Sequence, residues 1–381
     1  MSTMNRHDAI VLGLGIHGSA AVYELARRGF DVVGIDRFAP GHARGSSHGA
    51  TRMFRRAYPN PLWNDLVERA HRGWERWGAD DGAPFLHPTG GLYAHRGMPT
   101  MQGGRSRPVE RAEVGAVAPS LRLPQGYGAV HDPDAGVLEA ARALAHAQAG
   151  ALGAGATLRF EESVLGWTVE HGTAEHGTAE HGTAEHGTVT VRTDRGELRG
   201  RRLVIAGGAW VPRLLPATAG FFEVWRIVTF TAPTGQPVAQ PPALGCFSVD
   251  LPEGLVFGLP EAAGSGAKIG LDAGPVWDPE VPVAPPTDAE AEHLAGLLRR
   301  FAPGITTDGG EAAACLYTMT PDRRFVLGAL PGRPEVIVAA ACSGHGFKFG
   351  PAIGEAVADL VAGVDRPDLA FLDPARMVTA A

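Results

Sequence analysis

Near the amino terminus polar residues give way to an unbroken apolar run, Ala9-Ile-Val-Leu12, which ends in Gly-Leu-Gly-Ile-His-Gly at 13–18. A short apolar run without alternation reads as a strand buried on both faces, the form strands take in a parallel sheet. Helical spacing follows over Ser19–Arg28 and stops at Gly29, and Asp31–Ile35 forms a second buried strand closed by Asp36. Leu62, Leu66, Ala70 and Trp74 share one face of a helix over Leu62–Trp77, whose tryptophans are expected in the core. His87–Tyr93 reads as a strand, a Gly/Arg/Pro segment runs to Pro108, and Asp132–Glu139 turns into an alanine-rich helix ending near Gly150. Thr157–Glu161 is a short strand, and Leu203–Trp210 is a buried strand that ends in glycines. From Val224 the period changes to two: Val224–Thr231, Cys246–Val249, Leu255–Leu259 and Lys268–Leu271 read as an antiparallel sheet. A proline-rich linker at 279–287, an amphipathic helix Ala289–Phe301, a last strand Val336–Ala340, its turn at 344–350 and a helix Pro351–Val361 complete the pattern.

One segment fits neither period. From Glu170 the unit E-H-G-T-A occurs three times, and a fourth copy, Glu185–Thr188, is cut short. Glycine at every fifth residue opposes a stable helix. With Trp167-Thr-Val before it and Val189-Thr-Val-Arg192 after it, the unit reads as an expanded hairpin loop on the surface, without a metal role. The expected fold class is therefore mixed α/β. A Rossmann-like dinucleotide domain at 1–85, 140–218 and 312–381 is interleaved with an antiparallel-sheet substrate domain at 86–139 and 219–311, and the repeat is an insertion at 170–188.

Composition narrows the function classes. At 381 residues, 44% hydrophobic and 20% charged, the chain can bury two cores. A formal net charge of −7 offers no electrostatic footprint for nucleic acid or an anionic membrane. No apolar run approaches the roughly 18 residues of a membrane span, and the polar segment Met1–His7 is not read as a signal peptide. Cys246, Cys315 and Cys342 are far apart and odd in number, which argues for a reducing compartment; the expected location is cytoplasmic.

The chemistry begins at Gly13, Gly15 and Gly18. Strand, glycines, helix, strand and a terminal acid in this order make a dinucleotide site, with the pyrophosphate on the positive end of the helix. Asp36, 18 positions beyond Gly18, is placed to accept from an adenosine ribose, which favours NAD or FAD over NADP. In Gly45–Tyr58, Arg52 and Arg55 lie three apart; they form either a solvated basic loop or a flavin-facing and a carboxylate-binding pair. Further on, Cys315-Leu-Tyr-Thr-Met-Thr-Pro-Asp322 and Ser343-Gly-His-Gly-Phe-Lys-Phe349 bring a thiol, a phenol, a glycine-rich turn and a lysine into one distal stretch.

These motifs, together with the loop G-S-x-H-G-x-T-R-x-x-R, resemble the monomeric sarcosine oxidase and N-methyl-tryptophan oxidase family of D-amino-acid-oxidase-like FAD enzymes. The resemblance covers nearly the whole chain apart from the repeat. It implies a monomer that oxidises the C–N bond of a small secondary amine or amino acid, N-methyl or cyclic, by hydride transfer to the flavin, passes the electrons to O2 and releases hydrogen peroxide. Cys315 would carry FAD covalently through a thioether. Lys268 would activate oxygen, Arg55 and Lys348 would hold the substrate carboxylate, Tyr317 would be the active-site tyrosine, and His48 and Arg52 would face the flavin. Further cofactor contacts are implied at Ile16, His17, Arg37, Ser46, Ser47, Thr51, Val164, Gly207, Trp210, Gly344, Gly346, Phe347 and Lys348.

The chain departs from the family at Asp272, where sarcosine oxidases carry a histidine four residues after the lysine. A carboxylate there either favours a more basic or cyclic amine or points away from the site. The competing expectations are a flavin oxidase or dehydrogenase acting on a biosynthetic amine or imino acid, an NAD-linked dehydrogenase, and a flavoprotein subunit without turnover.

Overall fold

A computed structural model describes residues 6–97, 101–170, 187–340 and 342–379. The repeat lies almost wholly outside these residues, apart from its ends.

The apolar runs form the parallel sheet their composition calls for. Thr157–Arg159, Val32–Ile35, Arg6–Leu12, Gly196–Ile205 and Arg333–Ala340 lie side by side in that order, all parallel. Val326–Leu330 pairs antiparallel on the outer edge of the last strand. The hairpin Val164–Glu170 and Thr188–Thr193 pairs antiparallel with the first half of Gly196–Ile205. Helix Ile16–Arg27, capped at its far end by Gly29 (φ 84°), follows the first strand. It packs against Ala140–Gly153 and Gly350–Val361. The second of these crossings is close because Gly354 lacks a side chain; a Cβ there would lie 2.5 Å from the Ala20 carbonyl oxygen. Helix Asn64–Asp81 packs on the outside of Gly350–Val361, with Trp74 and Trp77 buried as expected.

The second sheet has eight strands in the order 311–319, 223–231, 268–271, 254–259, 246–251, 91–96, 127–132 and 107–109. All neighbours are antiparallel except Cys246–Leu251 with Gly91–Arg96. Helix Asp288–Phe301, started by a Thr287/Glu290 capping box, covers one face. Its Leu294, Leu298 and Phe301 join Phe247, Val256 and Ile269 in a separate core. The opposite side of the sheet faces the dinucleotide layer.

Thr51–Phe54 and Gly136–Glu139 are strands where a loop and a turn were expected, and two further elements differ from the sequence-based expectation. His87–Tyr93 is not one strand: Gly90 adopts φ 67° and the chain breaks there, so Leu86–Pro88 joins a three-stranded sheet with 136–139 and 51–54, while Gly91–Arg96 enters the eight-stranded sheet. Glu311–Met319, grouped by pattern with the dinucleotide layer from residue 312 onward, pairs along its whole length with Glu223–Thr231. The chain therefore changes layers after Met319. The reason is nonlocal: the partner strand lies about ninety residues earlier and leaves no mark on the local pattern. Among the described residues no helix is long and apolar enough to cross a membrane.

Candidate active site

One cavity of about 620 Å³ runs between the two layers. Its walls carry every residue singled out from the sequence except Gly18. Gly18 instead makes the cradle possible: a Cβ there would sit 1.8 Å from the Gly13 carbonyl oxygen, so the helix starts tight against the turn. Gly13, at φ 93°, passes so close to Ala206 that a Cβ would lie 2.6 Å from its carbonyl oxygen. Gly15 gives helix Ile16–Arg27 no side-chain cap and its first turn holds no acid; the Ile16 amide donates to the Ser47 hydroxyl at 3.0 Å, and the positive end is otherwise left for an anion. Asp36 is buried at this end of the cavity, accepting from the Leu14 amide at 2.7 Å and the Phe38 amide at 2.9 Å.

The arginine loop is a built element rather than a solvated one. Arg52 donates to the carbonyls of Thr51 (2.8 Å), Ser46 (2.6 Å) and His48 (2.6 Å), and lies over the Phe347 ring at 5.4 Å. Its position is thus fixed by its own loop and by the distal glycine turn. Burial and the Arg52 charge push the His48 imidazole down to about 4, so it is neutral at physiological pH.

Opposite this loop the eight-stranded sheet contributes three side chains. Cys315 and Tyr317, two apart on the edge strand, both line the cavity. Cys315 is a free, buried thiol, raised by burial against the pull of Arg52 and Lys268. Lys268 is 9% exposed and donates to the Thr51 carbonyl at 2.5 Å. Burial first, and then the Arg52 charge, push its ammonium down to about 7.

At the same end lie two further cations, Lys348 buried and Arg55 half-buried. Lys348, 5% exposed, donates to the Tyr58 hydroxyl at 3.0 Å and to the His345 carbonyl at 2.8 Å. Arg55 packs over the rings of Tyr58 and Tyr93 at 4.8 and 5.8 Å, and its buried Nε has no hydrogen-bond partner. Burial and the Arg55 charge hold Lys348 well below the usual lysine range. His345 contributes its side chain as well as its backbone, with Nδ1 3.3 Å from the Tyr58 hydroxyl and Nε2 3.2 Å from the Arg323 carbonyl.

Sequence reasoning missed Tyr58, Tyr93 and Asp132. Tyr58 and Tyr93 stood only as the ends of the arginine loop and of a strand, and Asp132 as the start of a turn. Asp132 is 0% exposed; one of its oxygens accepts from the amides of Arg56 (2.8 Å) and Ala57 (3.0 Å) and from the Tyr93 hydroxyl (3.3 Å). It therefore anchors both the backbone next to Arg55 and the ring beneath it. In Asp132→Asn an amide NH2 must face these donors or those on the other oxygen. The expected result is a loss of about 2 kcal/mol in stability, read by denaturant unfolding, with weaker carboxylate binding.

The FAD dependent oxidoreductase (DAO) family matches residues 8–360, nearly the full chain. The chain belongs to this family. It is 31% identical to a monomeric sarcosine oxidase of Streptomyces avermitilis, over 98% of both chains. It is 29% identical to an N-methyl-L-tryptophan oxidase of Yersinia pestis, over 92% of this chain and 94% of that one. Among solved structures, the open form of NikD, an amino acid oxidase essential for nikkomycin biosynthesis, superposes with a TM-score of 0.80 at 23% identity, covering 97% of this chain and 98% of that one. This DAO-family chain is thus an FAD-dependent oxidoreductase. The walls fit the cofactor. The glycine cradle has no room for side chains, and two buried polar atoms facing the cavity, Trp210 Nε1 and His48 Nε2, have no protein partner.

Proposed function

We propose that the protein is an oxidase of secondary amino acids, N-methylated or cyclic, with O2 as electron acceptor. The observation that carries this reading is the Arg55–Lys348 pair. Lys348 stands buried and Arg55 half-buried at one end of the cavity, and the buried Arg55 Nε is left without a partner. Holding them there is unfavourable unless an anion is to be received. A planar guanidinium beside an ammonium matches a carboxylate, one group by a paired hydrogen bond and the other as a point charge. The secondary amine is supported by the relatives, whose named substrates, sarcosine and N-methyl-L-tryptophan, are both N-methyl amino acids.

FAD supplies the two-electron acceptor for the C–H bond next to nitrogen. The chain's own residues hold the substrate. With its carboxylate on Arg55 and Lys348, the reacting carbon is fixed in one orientation, a gain in proximity that can amount to roughly 7–11 kcal/mol of a barrier. Arg52 places a positive charge beside the bound amine and favours loss of its ammonium proton, which must leave before the amine can give up electrons. The product imine is hydrolysed to an aldehyde and the demethylated amino acid, or stays intact if cyclic. The amine gives up two electrons and two protons, and O2 takes them up as H2O2. The Lys268 ammonium supplies the positive charge for the oxygen step.

Cys315 is the proposed attachment point for FAD, reached from the edge strand with Arg52 and Lys268 as neighbouring cations. In acid-denatured wild-type protein the yellow colour is expected to stay with the polypeptide, and Cys315→Ser is expected to release it completely. Flavin that washes out of the wild type refutes the attachment. The function itself is tested by peroxide release over a panel of N-methyl and cyclic amino acids against the corresponding amines without a carboxylate. Turnover of the amines alone refutes the carboxylate reading.

A further inference from the structure

Four carboxylates line the cavity, and three are spent or exposed. Asp36 accepts from two backbone amides, Glu162 accepts from Thr193 at 2.7 Å and faces Arg159, and Glu311 lies exposed at a strand end. Asp272 differs. It follows directly on strand Lys268–Leu271, and its amide donates to the Leu255 carbonyl at 2.8 Å, which fixes its backbone. Its Oδ2 pairs with Arg323 at 3.0 Å, while its Oδ1 is buried with no hydrogen-bond partner. Oδ1 faces the space that Gly344 leaves open: a Cβ at that glycine would lie 3.1 Å from Oδ1 and 2.7 Å from the edge of the Tyr317 ring. The charges acting on Asp272 are those of Arg323 and Arg55, the second belonging to the carboxylate pair.

An unpartnered buried carboxylate oxygen is costly, more so than a neutral acceptor. Here it stands across a vacant side-chain position from the substrate tyrosine and within the field of Arg55. We propose that Asp272 reads the substrate's amino nitrogen, Oδ1 accepting a charge-assisted hydrogen bond from a protonated amine bearing at least one N–H while the carboxylate sits on Arg55 and Lys348. The site thereby selects zwitterionic amino and imino acids over carboxylates that lack a cationic nitrogen. This rests on the carboxylate reading above and adds the second anchor point. Burial raises the Asp272 carboxyl from its ordinary value while Arg323 draws it back, and a cationic amine completes the balance in favour of the charged form. Arg323 fixes the rotamer that presents Oδ1, so it acts as a positioning residue.

Binding separates these statements from turnover. Flavin-loaded protein is titrated calorimetrically with 2-aminoisobutyrate, which has no hydrogen on the carbon bearing nitrogen, and with pivalate, the same shape with methyl in place of ammonium. Wild type is expected to prefer 2-aminoisobutyrate by about tenfold or more, as a charged hydrogen bond implies. In Asp272→Asn the preference is expected to vanish or reverse, because the amide turns a donor towards the ammonium, while pivalate affinity stays within about threefold. An unchanged preference, or an equal loss of both ligands, overturns the Asp272 assignment. If Asp272→Asn fails to fold, Arg323→Ala decides: without the partner that fixes its rotamer and favours its charged form, Asp272 holds the ammonium less well, so the preference must fall, and an unchanged preference refutes the proposal. Pivalate binding that does not weaken in Arg55→Met overturns the carboxylate reading instead, and Asp272's role with it.

Discussion

Replacing Lys268 with methionine is expected to slow the oxygen-consuming half of turnover by about a hundred- to a thousandfold, the usual loss when a preorganised charge is removed from a developing anion. Stopped-flow mixing with O2 after anaerobic reduction by substrate reads this step alone, and bleaching by substrate should change little. Methionine keeps most of the apolar stem and removes the ammonium that donates to the Thr51 carbonyl. The same lysine gives the pH dependence a sign. Its folded value lies near 7, below the ordinary lysine value, so the charged form is populated below that pH and lost above it. The oxygen step should therefore slow as pH rises through the lysine's titration, and a bound anionic group moves that midpoint upward. Lys268→Arg stays charged over the whole range and should flatten the profile. A profile that rises with pH in wild type, or an oxygen step untouched in Lys268→Met, would remove Lys268 from the mechanism.

The second large effect is expected at the substrate end. Arg55→Met and Lys348→Met each remove one charge-assisted partner of a buried carboxylate, and each should lower kcat/KM for amino acids by about ten- to a hundredfold. The double variant should lose more than the product of the two, because removing one charge relieves the other and so masks part of each single loss. The informative comparison is with an amine of the same shape that lacks the carboxylate. Its turnover should be nearly unchanged in either variant, so that discrimination between acid and amine collapses. Equal losses for both substrates would show that the pair shapes the cavity rather than binding an anion.

The extent to which this site could be read from the chain follows from how far apart its parts lie. The glycine fingerprint is local: strand, turn and helix follow one another within about twenty residues, and each glycine serves a contact in its own neighbourhood, as Gly18 does against Gly13. Arg52 is equally local, since its guanidinium is held by carbonyls of its own loop. Arg55 and Lys348 are different. Nothing in either segment announces the other, and only resemblance to a known family paired them. Asp132 shows the limit more sharply. Its bonds reach back to the amides of Arg56 and Ala57, and from the chain alone it is a turn aspartate followed by a proline and another aspartate. The layer change after Met319 was hidden for the same reason, because strand pairing is settled by a partner that local periodicity does not name.

The hairpin beside the first sheet has a bearing on inheritance. Its ladder holds from Thr168 opposite Thr190 to Glu170 opposite Thr188, and it is the opposite end, at Val164, that lines the cavity. Seven residues of strand separate the two ends, about 20 Å at the usual rise. The repeated unit is five whole codons long, so replication slippage adds or deletes copies in frame. Copy number can therefore change between Glu170 and Thr188 without altering the described ladder or the residues that line the cavity. The same position in the chain is the natural place to splice in an affinity tag.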